Sequence, residues 1–270
     1  MRRVVCAAVG LIAACPALPA EPAKDDGSYR IQVTAGVGRF SGYYGEEEKT
    51  TLDVVSLSTR WYFDRAEFQV SLPYLRIDGP ADIIFIDGQP VPIDDDSSGA
   101  SRTEAGWGDI TLRGEYYLHR GSSKSPWVIG LLRVSLPTGD EEKGLGAGAT
   151  DVETGFSFIQ QIGRINWLAD VAYTFVGDSG HNGDVKPRNQ LRAGAGASVP
   201  FGASQRHSYY VYFENQTSRF SSTEDKRSVA VGISSAFTQA RRVRLSASMF
   251  FGLSDSTEDV GLYVSLGRRY

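Results

Sequence analysis

The chain is expected to fold as an all-β protein, a transmembrane antiparallel up-and-down β-barrel of about twelve strands. Three features lead there. Apolar and polar residues alternate in segment after segment beyond residue 27, charges keep to one parity of that alternation, and the connections are by turns short and long. A soluble sandwich also alternates, so repetition, strand length and closure carry the distinction. In the segment 165–175, one parity reads Trp167, Ala169, Val171, Tyr173, Phe175 and the other Asn166, Leu168, Asp170, Ala172, Thr174. Successive side chains on a strand point to opposite faces. One face is therefore apolar with aromatic ends, and the other carries a carboxylate.

Residues 1–20 read as a secretory leader and 21–270 as one barrel domain. Arg2 and Arg3 are a basic start, Val4–Ala14 is apolar but too short to span a bilayer, and small residues at Pro16–Ala20 precede Glu21. Cys15, after Ile12-Ala13-Ala14, leaves a second reading open, a lipidated first residue. Both cysteines, Cys6 and Cys15, lie in this leader, so the remainder can form neither disulfide nor thiolate metal site. Without Arg2 and Arg3 the chain has 26 basic and 32 acidic residues, a net charge of −6, which argues against a nucleic-acid partner. Charged residues at 22% and a mean hydropathy of −0.24 exclude a helical membrane protein. They suit a barrel with a polar lumen and loops.

The strands are placed at Tyr29–Gly38, Leu52–Phe63, Ala66–Asp78, Trp107–Leu118, Trp127–Leu136, Val152–Ile162, Ile165–Phe175, Gln190–Val199, Ser208–Gln216, Arg227–Phe237, Val243–Leu253 and Val260–Tyr270. Most have the length a tilted strand needs to cross a membrane. Short connections at Asp64-Arg65, His119–Pro126, Gly163-Arg164, Pro200–His207 and Thr238–Arg242 alternate with longer polar ones: Arg39–Thr51, Gly79–Gly106, Pro137–Asp151, Val176–Asn189, Thr217–Lys226 and Ser254–Asp259. Periplasmic turns and external loops differ in this way, and an even count puts both termini on the periplasmic side.

Face chemistry agrees. Val33, Val55, Leu57, Val70, Leu112, Phe156, Val231, Met249 and Val264 share the outward parity. The inward parity holds Arg30, Arg60, Arg113, Arg133, Arg192 and Arg244, with Glu67, Asp109, Glu115, Glu153, Asp170 and Glu214. An outward arginine at the bilayer mid-plane costs about 2–4 kcal/mol. Outward aromatics cluster at strand ends, at the depth amphipathic rings prefer: Trp61, Phe63, Tyr116, Trp167, Tyr209, Phe237 and Tyr270 on one side, Tyr74, Tyr173, Phe175 and Phe251 on the other. The fifth strand fits least well, because Trp127, Ile129 and Leu131 make its inward face apolar too.

Gly106-Trp107-Gly108-Asp109-Ile110, Leu136-Pro137-Thr138-Gly139-Asp140 and the Gly-rich stretch Gly144-Leu145-Gly146-Ala147-Gly148 resemble the outer-membrane family named for the meta-pathway of phenol degradation. The likeness is sharpest from Gly106 to Tyr173. It implies a barrel serving uptake of aromatic or related compounds, and it names no substrate. The final Tyr270 is close to the terminal aromatic signal for barrel assembly, with Arg268 where an apolar residue is more usual.

The motifs each carry two readings. Pro137-Thr138-Gly139-Asp140 is either a ligand-gating turn or a strand terminator, since proline lacks the donor and glycine permits the turn. The balanced inward charges are either a selectivity constriction or a paired network filling the lumen. Asp94-Asp95-Asp96 is either a cation site or a solvated acidic loop. Ile84-Phe85-Ile86 and Val91 around Asp87-Gly88 point to a hairpin in the same loop. His119, His181 and His207 lack metal-ligand spacing, and only His181 falls in an external loop, where a lipid hydrolase would need it.

The expected function is passage of small molecules, including aromatic catabolites, through an outer-membrane channel without catalytic residues, metal or cofactor. Tyr117, Tyr210 and Tyr212, with Tyr62 and Tyr263, offer stacking surfaces along the path beside the inward charges. The expected partners are outer-membrane lipid and lipopolysaccharide, the barrel assembly machinery and a small solute. The alternatives are a non-transporting barrel with partner-binding loops and an outer-membrane hydrolase.

Overall fold

The structure is a computed structural model. It describes residues 30–44, 47–80, 83–86, 89–92, 101–122, 124–141, 143–178, 187–202, 206–221, 223–237 and 242–270, with the backbone alone over 83–86 and 89–92. The leader, Cys15, Tyr29, Asp94–Asp96 and His181 lie outside the described residues.

The described residues form fifteen strands: β1 (Ile31–Gly42), β2 (Thr50–Tyr62), β3 (Ala66–Pro80), β4 (Ile83–Ile86), β5 (Gln89–Pro92), β6 (Ser101–Trp107), β7 (Ile110–His119), β8 (Trp127–Leu136), β9 (Asp151–Ile162), β10 (Ile165–Phe175), β11 (Gln190–Phe201), β12 (His207–Gln216), β13 (Lys226–Phe237), β14 (Val243–Gly252) and β15 (Val260–Arg269). β6 and β7 occupy one wall position, and β4 with β5 is the hairpin of the long loop, paired from Ile83↔Pro92 to Ile86↔Gln89. The remaining strands pair antiparallel with their sequence neighbours, and β1 pairs with β15 from Gln32↔Arg269 to Ser41↔Val260. Twelve wall positions therefore close into an antiparallel barrel, which leaves no sheet edge to satisfy.

β8 and β10 have the expected bounds. β1 runs on to Gly42, so Arg39 is not in a loop. It faces outward at the external end and pairs with Asp53 at 2.6 Å. Polar residues extend a strand readily at the rim, where both faces meet water, which is why the alternation fades before the strand does. The fourth wall strand begins at Ser101 rather than Trp107. Its break has a physical cause. β3 pairs with β7 through Ser71↔Thr111 and with β6 from Tyr74↔Trp107, so Gly108-Asp109 adds one residue opposite Pro73. Pro73 has no N–H to donate, and its carbonyl accepts Gly108 N–H at 2.9 Å. The extra residue is a bulge, which re-aims the side chains beside it.

The outward set is exposed as expected, with Val55 and Leu266 each at 54%, whereas Trp107, on the expected inward parity of Asp109, faces outward at 57% because the bulge shifts the alternation. The apolar inward face of β8 is accounted for by a lumen cluster. Ile129 packs with Ile159, Leu168 and Tyr212, flanked by Tyr117 and Trp127.

Candidate functional site in the barrel lumen

Charged side chains form a continuous ribbon along one wall of the lumen. It starts at the periplasmic end of β2, where Arg60 pairs with Glu67 of β3 at 2.9 Å and donates to Gln69 at 2.6 and 2.8 Å. Tyr117 of β7 donates a short hydrogen bond to Glu67. Arg113 pairs with Glu115 at 2.8 Å. Arg133 of β8 is the strand partner of Arg113 but turns to Glu153 of β9 at 3.0 Å. Arg192 of β11 then joins three carboxylates, Asp170 at 2.6 Å, Glu214 at 3.2 Å and Glu153 at 3.3 Å. Tyr212 closes the set by donating to Asp170 at 2.6 Å. Glu153, Arg192 and Glu214 are buried. Buried ions of this kind are tolerated when every charge has a partner.

The ribbon brings together most of the sequence-derived site residues: Arg60, Glu67, Arg113, Glu115, Tyr117, Arg133, Glu153, Asp170, Arg192, Tyr212 and Glu214. Others stand apart. Arg30 precedes β1 and is exposed at the periplasmic lip. Arg244 faces inward between Ala236 and Gly267 near the same end. Tyr210 makes a short hydrogen bond with Ser248, two strands along the wall on β14. Asp109 sits on the bulge, outside the ribbon, and holds a loop.

That loop is the connection from β8 to β9, and it folds into the lumen. The Asp109 carboxylate accepts N–H from Gly139 at 2.8 Å and from Ala147 at 2.7 Å. Thr138 Oγ1 accepts the Ile110 N–H at 2.9 Å, tying the loop's start to β7. Leu145 N–H donates to the Asp140 carbonyl at 2.9 Å, which closes the turn at the loop's inner end. The glycines make this contact possible: a Cβ on Gly146 would lie 2.7 Å from Asp109 Oδ1, and one on Gly106 would lie 2.7 Å from Leu145 Cδ1.

Leu145 is therefore driven across the lumen. It is 1% exposed and packs in a cluster with Phe40, Leu52, Val54, Leu75, Ala230 and Phe250, beside Tyr210 and Tyr263. These are inward residues from the external parts of β1, β2, β3, β13 and β14. The mouth above them is lined by further inward loops: Phe220 is fully buried, and Arg219, 1% exposed, pairs with Asp151 at 2.7 Å.

The sequence indicated the ribbon but not the role of Leu145, although one large apolar residue flanked by glycines in a polar loop is a usable signal. Neither histidine in the described residues meets a carboxylate by hydrogen bond. His119 Nε2 lies 3.2 Å from Ser125 Oγ, and His207 Nδ1 lies 3.0 Å from Ser235 Oγ, both beside short turns. Among the described residues no group of three or more His, Cys, Asp or Glu is placed to hold a metal ion.

A closed, even-stranded barrel with an apolar exterior, aromatic girdles and a charged interior is the architecture of an outer-membrane β-barrel. The chain belongs to the family described as "Putative MetA-pathway of phenol degradation", whose model matches residues 25–269. No curated protein matches it in sequence. Among solved structures it is similar in fold to an outer-membrane channel from Pseudomonas putida F1, at 14% identity and a TM-score of 0.66, covering 90% of this chain and 96% of that one. The translocator domain of the autotransporter NalP from Neisseria meningitidis gives 11% identity and a TM-score of 0.56, with 91% and 90% covered. The transport unit of the autotransporter AIDA-I from Escherichia coli gives 13% and 0.52, with 89% and 90% covered.

Proposed function

We propose that this chain is an outer-membrane channel for small molecules, with a path controlled by the inward loop of residues 137–150. Export by the leader 1–20 delivers it to the membrane, and barrel assembly machinery inserts it among lipid and lipopolysaccharide. The observation that carries the reading is the burial of Leu145 in the lumen. A loop that only joined two strands would remain outside, whereas this one is fastened inside by a carboxylate and two backbone donors. Apolar walls at the level of Leu145 favour small apolar solutes, in line with the aromatic compounds of the family description. The charge ribbon below is close to balance, with four arginines against five carboxylates, and sets no strong ionic preference.

Flux through the purified barrel in liposomes tests this. Asp109→Ala removes the acceptor for Gly139 and Ala147 and is expected to raise flux of small solutes severalfold, with aromatic solutes gaining most. A correctly folded Asp109→Ala barrel that passes no more than the parent would remove the loop from the path. A parent and variant that are both impermeable to every solute would end the channel reading.

A further inference from the structure

The connection from β14 to β15 also enters the mouth, and it brings a carboxyl group with it. Gly42 and Gly252 both follow inward residues of their strands, Phe40 and Phe250. A Cβ on Gly42 would lie 2.9 Å from Glu258 Cα and 2.8 Å from Asp259 N, and one on Gly252 would overlap the Glu258 carbonyl. The loop therefore fills the space these glycines leave on the lumen side. Ser256, Thr257 and Glu258 are 3%, 2% and 4% exposed. Ser256 Oγ donates to the Asp225 carbonyl at 3.1 Å and Thr257 Oγ1 to the Ser254 carbonyl at 2.7 Å. These bonds fix the backbone but leave the Glu258 Oε1 atom buried with no hydrogen-bond partner. An ionised carboxylate in that position has lost its water without full replacement.

We propose that Glu258 is a proton-operated latch. As the neutral acid it lets the 253–259 loop dock in the mouth, and as the carboxylate it drives the loop out and opens the mouth. The proposal rests on the channel reading above for its purpose, but not for its detection. Groups from each packed element set the balance. The backbone N–H of Glu258 itself and then Lys226 of β13 favour the charged form, Glu214 of β12 opposes it, and the Tyr44 phenol from the β1–β2 loop is pushed up first by burial and then by Glu258 and Asp259. Asp225 and Asp259 flank the loop and add negative charge. Burial is the largest influence and lifts the Glu258 carboxyl to about 7, against 4.5 for an ordinary glutamate. The sign follows. The docked state has the higher value, so docking is fully favoured below the ordinary value and is lost as pH rises through about 7.

The test places a cysteine at Ser256, which is buried, and separately at Asp255, which is exposed. Maleimide labelling of the full barrel in liposomes is measured from pH 5.5 to 8.5. The ratio of the two rates cancels the reagent's own pH dependence, and protein without an added cysteine gives the background. The ratio is expected to rise by about tenfold per unit from pH 5.5 towards 7 and to level off above it, where the carboxyl is ionised whether docked or released. Glu258→Gln should hold it low throughout, and Lys226→Met should move the rise to higher pH. A ratio that stays flat overturns the latch, as does the same rise in Glu258→Gln. Solute flux over the same range is read separately. Labelling that responds while flux remains zero at every pH counts against the channel and leaves the latch standing.

Discussion

The hydroxyl of Tyr263 on β15 stands 2.6 Å from Oγ of Ser56 on β2. The ring crosses the intervening strand to reach it, lying over Gly36 and Gly38. A Cβ on Gly38 would come within 2.7 Å of the ring, and one on Gly36 would overlap the phenol end. The same arrangement recurs where Tyr212 crosses Gly194 and Gly196 to Asp170, and where Tyr210 crosses Gly232 to Ser248. Each tyrosine ties three strands together and lies against the wall.

Gly36→Ala should therefore push the Tyr263 ring off its seat. Overpacking of this kind costs about 1–3 kcal/mol. Tyr263→Phe removes only the hydrogen bond, about 0.5–1.5 kcal/mol. Urea unfolding in detergent micelles should rank Gly36→Ala as the less stable of the two. An unchanged Gly36→Ala midpoint would mean that the ring has room to move.

Arg192 is the node of the charge ribbon, so its loss should be the most costly of the lumen substitutions. After Arg192→Met, Glu153 keeps Arg133 and Asp170 keeps the Tyr212 hydroxyl, but Glu214 loses its ion pair while remaining buried. Breaking a buried network in this way costs about 3–5 kcal/mol. The unfolding midpoint should drop accordingly. A loss below about 1 kcal/mol, the range of exposed pairs, would place these charges in water instead.

How much of this was legible in the sequence depends on whether a residue acts through its own strand. Parity along one strand sorts Arg113, Glu153 and Asp170 to the inside and Val231 to the outside. It cannot see which of its two strand partners Arg133 chooses, Arg113 on β7 or Glu153 on β9, because that needs the register between strands. The bulge at Gly108-Asp109 was hidden for a related reason. One inserted residue shifts the register, and alternation on either side still looks regular. The hairpin at β4–β5 was visible because its turn signal is local. The inward courses of Leu145 and Glu258 were not, since loop residues carry no periodicity. The glycines that receive them, Gly106 and Gly42, show their meaning only when the neighbouring chain is in place.

Ion preference should respond to the ribbon and not to the rim. Arg113→Ala leaves three arginines facing five carboxylates in the ribbon and frees Glu115 from its 2.8 Å partner. Cation preference and small-solute flux are expected to rise. Arg39→Ala should change neither, because Arg39 faces outward at the external end with 69% of its side chain exposed, where salt screens it. Reversal potentials in asymmetric salt measure the difference. Unchanged preference in a folded Arg113→Ala barrel would separate these charges from the path.

Assembly tests the register of β13. Val231 faces lipid between Val211 and Met249 of the adjacent strands and is 36% exposed. Arginine there should cost about 2–4 kcal/mol if the position is near the mid-plane. A suitable inward comparator must have room for a long side chain. Gly232 has none, since its Cβ would lie 2.5 Å from the Ala247 carbonyl and 2.6 Å from the Tyr210 ring. Ser234 is better placed. It faces the lumen toward the periplasmic end, and its Oγ accepts a hydrogen bond from Ser246 at 3.1 Å. Ser234→Arg can extend into a wet, polar interior, whereas Val231→Arg must put its guanidinium against acyl chains. Folded yield, read as the fraction of heat-modifiable barrel on a gel after refolding into lipid, should be severely reduced for Val231→Arg and close to the parent for Ser234→Arg. A reversed order would mean that the faces are exchanged and that the pairing of β13 with β12 and β14 is shifted by one residue, and equal yields would mean that these two residues do not face opposite sides of the wall.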